Sequence, residues 1–202
     1  MPRLDAGKLV AVSMAGSLAM SAVGPAGADD VTDAIQNGLN EYKEGRLSSA
    51  IENLELAAGL LRNKKGQFLK SLLPPALPGW QVDEGLSSVM AAGLYGGGIS
   101  AQRVYRQGEK MVMVRYVTDS VLLQSAMLAF SDPAFASANG GKFITLRGEK
   151  AIVKYAKEDK SGEVAIVLNR RILVSVRGTK ASQEDLEAYA AAVDFRKLIR
   201  LP

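Results

Sequence analysis

The apolar positions of this chain change their spacing along its length, and each change marks a new element. Leu9 to Val23 is an uncharged apolar run without a period. From Ala34 the spacing becomes helical: Ala34, Ile35, Leu39 and Tyr42 share one stripe, with Asp30 or Thr32 placed to cap the helix and Gly45 to break it. A second helical stripe runs from about Ser48 through Ala50, Ile51, Leu54, Leu56, Ala57, Leu60 and Leu61, where Ser49-x-x-Glu52 reads as a capping box. The two helices and their short turn predict an antiparallel helical hairpin. A basic bridge, Arg62-Asn63-Lys64-Lys65-Gly66, follows and reads as a solvated helix face, with an anionic membrane or polymer contact as the functional alternative. Leu73-Pro74-Pro75-Ala76-Leu77-Pro78-Gly79-Trp80 then stops helix formation, and Trp80, the only tryptophan, is expected to anchor a core.

Beyond Trp80 the period falls towards two. Ile99 to Arg106 and Met111 to Thr118 flank Gln107-Gly108-Glu109-Lys110, a hairpin signal. Val121 to Phe130 returns to helical spacing, with Asp119 or Ser120 as cap, and ends at Ser131-Asp132-Pro133. Four short strands follow: Lys142 to Leu146, Lys150 to Tyr155, Glu163 to Asn169 and Ile172 to Arg177. Val164, Ile166 and Leu168 point one way and Ala165 and Val167 the other, so the third of these is expected in the sheet interior. A last helix opens at Ser182, with Glu184 and Asp185 in its first turn and Leu186, Tyr189, Ala190 and Val193 buried. The tight joints imply antiparallel neighbours. The expected fold is therefore α+β: an N-terminal helical hairpin (residues 29–73), a Pro-rich linker (74–80), and a domain (81–202) built on a mainly antiparallel sheet of about six strands covered by helices.

Gly38, Gly45, Ala50, Leu54 and Ala57 fall at small-residue and large-apolar positions of the tetratricopeptide repeat, and Val31 to Arg62 resembles one such repeat. The chain departs from that pattern where Tyr42 sits one position late and no proline closes the repeat. No second copy follows, whereas solenoids share a core over about three repeats. The hairpin, the Leu-Pro-Gly-Trp linker and the Gly-rich approach to the first strand together resemble a family of uncharacterised exported bacterial proteins, a likeness that supplies no activity. In topology the second domain is similar to PsbP-like sandwiches.

Arg3 and Lys8 precede the apolar run, and Ala26-Gly27-Ala28 is a small-x-small site in front of Asp29. Residues 1–28 therefore read as a signal peptide, and the expected location is periplasmic or secreted after cleavage near Ala28. A membrane anchor needs about 20 apolar residues, and Leu9 to Val23 is shorter and diluted by Ser13, Gly16, Ser17 and Ser21. No Cys lies near the site to carry a lipid.

Composition narrows the chemistry further. The 202 residues hold neither Cys nor His. Thiol catalysis, disulfides, a Ser-His-Asp triad and ordinary zinc or copper sites are excluded. The net charge is +4 and the isoelectric point about 9.3. This allows attraction to an acidic surface but is too mild to argue for nucleic acid. No catalytic, cofactor or metal residue is assigned, and no cofactor is expected.

Gly96, Gly98 and Ala101 satisfy the degenerate G-x-G-x-x-A pattern, but the segment after them alternates like a strand where dinucleotide binding needs a helix. Gly96-Gly97-Gly98 reads instead as a hinge or bulge, with a flap over a ligand groove as the functional alternative. Lys157 to Glu163 holds three carboxylates without the alternating oxygen ligands of a calcium loop. Arg103, Arg106 and Arg115 on adjacent strands could meet an acidic lipid or polymer if their faces coincide, and exposed strand charges also protect sheet edges. Candidate partner or ligand contacts are Tyr42, Arg62, Lys64, Lys65, Gly96, Gly97, Gly98, Arg103 and Arg115. The expected function is an exported, non-enzymatic binding or scaffold protein whose partner is a protein or an acidic envelope component. The competing class is a small-ligand carrier, or an enzyme working without His or Cys, with a pocket near residues 93–98.

Overall fold

The computed structural model describes residues 29–91, 98–118, 120, 122–138 and 140–201. The expected signal peptide, Gly96, Gly97 and the Asp119 cap lie outside them. Two helices come first, α1 (Asp30–Lys43) and α2 (Leu47–Ser71). Asp29 caps α1, accepting from the Thr32 amide at 3.0 Å, in place of the expected Asp30 or Thr32. The capping box expected at Ser49 does not form: α2 starts earlier, at Leu47, so Ser49 is already inside it, and Arg46 stands at its start without a side-chain cap. The basic segment 62–66 is part of α2, which runs through it as the expected helix face and ends at Ser71.

The rest of the chain is a seven-stranded antiparallel sheet, β1 (Gln81–Ala91), β2 (Ile99–Gln107), β3 (Lys110–Thr118), β4 (Lys142–Leu146), β5 (Glu149–Ala156), β6 (Ser161–Leu168) and β7 (Ile172–Thr179), in the order β1-β2-β3-β7-β6-β5-β4. The seventh strand, unexpected from the pattern, is β1. β6 lies between β7 and β5, as its two apolar faces require. Helices α3 (Leu122–Ser131) and α4 (Pro133–Ala138) join β3 to β4, and α5 (Gln183–Ala192) and α6 (Phe195–Ile199) end the fold. Ser182 and Asp185 form a reciprocal capping box on α5, a motif whose Ser contributes about 1 kcal/mol.

Register carries one apolar row through all seven strands: Val89, Ala101, Tyr116, Val174, Ile166, Ala151 and Ile144. The C-terminal half of α2 covers this face at its β1–β2 end, and α5 and α6 cover it further along. Leu69, Leu73 and Trp80 therefore share one core with the sheet and with Tyr189. The opposite face carries Gln102, Arg115, Ser175, Ala165 and Ile152 in register, with α3 and α4 seated over its β5–β7 part.

The linker is tied down by side chains of the first face. Arg103 donates to the carbonyls of Leu73 and Pro74 at 3.1 Å, Tyr105 to that of Pro74 at 2.5 Å, and Tyr116 to that of Leu72 at 3.2 Å. The carbonyls of Leu72 and Leu73 are left unpaired by the end of α2, so these donors serve as its C-terminal cap. The Tyr189 hydroxyl accepts from the Leu77 amide at 3.3 Å. Burial raises the pKa of all three phenols, that of Tyr189 to about 12, so they remain neutral at physiological pH.

Candidate functional site

The two N-terminal helices meet along small residues. Ala34 and Gly38 of α1 and Ala50 and Ala57 of α2 are buried at this seam. A Cβ on Gly38 would lie 2.9 Å from Leu54 Cγ, so the glycine sets the separation of the helices. Glu41 and Arg46 pair across the turn.

The stripe on each helix is wider than this seam. On α1, Ile35 and Leu39 are exposed and Tyr42 is 63% exposed. On α2, Leu47, Ile51, Leu54 and Leu61 each leave about half of their surface in solvent. At about 100° per residue, the exposed set follows the buried set in the same rotational sense on both helices. Because the helices run antiparallel, that sense turns both sets to the same side of the hairpin. Seven large apolar side chains thus form one open face. Leu56, also exposed, lies on the opposite side of α2. Each of the seven exposes on the order of 100 Å², giving a patch at or above the few hundred Å² that mark an interaction surface.

The remaining candidates are scattered. Arg62 is exposed on α2, whereas Lys64 pairs with Asp29 at the start of α1, and Lys65 is half-buried towards the end of β3 beside Thr118 and Arg171. Lys64 and the Thr32 amide hold the Asp29 carboxyl down at about 2. Arg62 and Lys65 lie about 60° apart around the helix and Lys64 on another side, so the three do not form one patch. Gly98 packs against Ser120, where an added Cβ would meet the Ser120 Cβ at 2.5 Å, and the segment after it is β2 rather than a helix. A dinucleotide site on this motif is thereby ruled out.

Arg103 and Arg115 do not share a face. Arg103 pairs in register with Val114 and points to the core side, where it caps α2. Arg115 lies on the other face, its Nε and Nη2 both donating to Gln102 Oε1 at 3.0 and 2.6 Å. Arg106 is bridged to Asp83 at 2.6 Å. Each of these arginines has a structural partner: Arg103 lies alone on the core face, and Arg106 and Arg115, on the other, are held separately by Asp83 and Gln102.

Sequence reading missed a cavity of about 410 Å³ beside the start of α5, lined by Lys110, Lys157, Lys160 and Lys180. Lys110 is paired with Asp185 at 2.9 Å and Lys180 with Glu109 at 3.1 Å, and Glu184 shares the lining, so three carboxylates offset most of its charge. These lysines come from three separate segments, so no local motif announces them. Among the described residues no acidic cluster is placed to hold a metal ion, and no helix is long and apolar enough to cross a membrane.

No protein-family model matches this chain, and no curated protein or solved structure does.

Proposed function

We propose that this chain is an exported, non-enzymatic binding or scaffold protein of the bacterial envelope, and that its docking surface is the open apolar face of the α1–α2 hairpin. The observation that carries the reading is the position of seven large apolar side chains on one side of a helix pair otherwise closed by small residues. Left in water they forgo the stabilisation that burial brings, about 25 cal/mol per Å². The hairpin is read as a single repeat-like unit of the tetratricopeptide type, used alone and fixed to a sheet domain. Export is supported by the pattern of residues 1–28 and by Asp29, which directly follows Ala26-Gly27-Ala28 and supplies the first helix cap.

A photo-crosslinking residue placed at Ile51, on the open face, is expected to give a discrete adduct in the envelope of an expressing bacterium. The same group at Leu56, on the opposite side of the same helix, is expected to give none. Equal adducts at both positions, or none at Ile51, would remove the hairpin face as the docking surface.

A further inference from the structure

Resting on that reading, we infer that the occupant of the open face is a second copy of this chain, and that two hairpins close into an antiparallel four-helix bundle. Helix α2 carries two neighbouring seams. One, Ala50-Asn53-Ala57-Leu60, is spaced three-four-three and is buried or half-buried against α1. The other, Leu47-Ile51-Leu54-Ala58-Leu61, is spaced four-three-four-three and is open. Both spacings repeat every 3.5 residues on average, the repeat of helix-on-helix packing. A helix with two such seams has two helical neighbours, as every member of a four-helix bundle does. Among the described residues, α2 finds one.

Three further observations select a second copy over an unrelated partner. First, α1 has the same surplus: Ile35, Leu39 and Tyr42 are spaced four and three beside the buried Ala34 and Gly38. Both helices of the pair thus lack one neighbour each, which a twofold mate supplies at once. Second, the open face offers on the order of 700 Å² per copy, close to the ~800 Å² that each partner contributes to a standard interface. Third, the rims nearest the turn are complementary. The outer rim of α1 carries Lys43 beside Gln36, and that of the first turns of α2 carries Glu52 and Glu55, with Arg62 two turns further on. A twofold axis along the helices sets each α1 over the α2 of its mate, so Lys43 faces the acidic stretch of that rim.

Sedimentation equilibrium of the purified full chain over a dilution series tests this. The expected result is a species of twice the chain mass at tens of micromolar, reduced to a single chain by Ile51→Glu or Leu39→Glu with unchanged far-ultraviolet circular dichroism. Lys43→Glu is expected to weaken the dimer at least tenfold, and adding Glu52→Lys and Glu55→Lys to restore it. A wild-type chain that stays monomeric overturns the inference, as does a dimer indifferent to both face substitutions. A monomer that still crosslinks through Ile51 to another envelope protein overturns the second copy while leaving the docking surface in place. A missing Ile51 adduct removes the docking surface itself.

Discussion

Replacing Tyr189 by alanine is expected to lower the unfolding free energy by about 3–5 kcal/mol, the range for emptying a large aromatic site in a packed core. Tyr189 is fully buried and is the point where α5, β2 and the linker meet. Its ring lies 4.3 Å from that of Tyr105 and 5.3 Å, edge-on, from that of Trp80. Alanine would leave a cavity flanked by two rings already fixed by other contacts, Tyr105 by its bond to Pro74 and Trp80 by the turn from Leu77. The surroundings therefore cannot collapse to fill it. Tyr189→Phe keeps the rings packed and removes only the acceptor for the Leu77 amide, a loss of about 1–3 kcal/mol. Urea unfolding of the two variants separates the contributions. A Tyr189→Ala loss no greater than that of Tyr189→Phe would show that the ring cluster does not hold the linker.

Gly66→Ala is expected to destabilise the chain by about 1–2 kcal/mol, although alanine is the better helix former by about 1 kcal/mol. Gly66 lies well inside α2 where the helix crosses β1, and an added Cβ would sit 2.3 Å from Val89 Cγ1. A branched side chain cannot turn away from that contact as a long flexible one would. Val89 is also held in register opposite Ala101, so relief requires moving either α2 or the edge of the sheet. Shortening the valine creates the missing room. The double variant Gly66→Ala/Val89→Ala is expected to be more stable than the sum of the two single changes by at least 1 kcal/mol. Strict additivity in four urea titrations would contradict the close crossing of α2 over β1.

The parts of the fold that were legible in the sequence are those in which the local pattern and the tertiary environment agree. Strands β6 and β7 alternate cleanly, their joint is short, and β6 carries apolar residues on both sides, so its interior position follows from its own residues. Strand β1 has no such signature. Gln81–Ala91 contains Gly85 and two adjacent serines, and its register shifts between Asp83 and Ser88. Pairing with β2 is what makes it a strand, and that pairing is invisible to a local period. The end of α2 was legible, since the prolines after Leu73 stop it, but the role of Gly66 was not: it lets the helix pass closely over the sheet.

The site was half legible. The stripes of α1 and α2 could be read directly, but which part of each stripe the other helix covers depends on how closely the pair packs, which Gly38 and the two alanines decide. Alternation could have separated the arginines, since Arg103 shares its side of β2 with Ala101 and Tyr105 while Arg115 is paired with Gln102. The basic segment 62–66 supplies no single patch because a run of charges along a helix is spread around its circumference.

Because the sequence contains no cysteine, each face of the hairpin can be probed by one introduced thiol. Leu39→Cys places it on the open face and Leu56→Cys on the opposite side, at positions 41% and 55% exposed in the isolated chain. Maleimide labelling in the envelope of the expressing cell is expected to be at least tenfold slower at position 39 than at position 56, with the difference abolished by denaturant. Equal labelling rates at the two positions in the native envelope would contradict an occupied hairpin face.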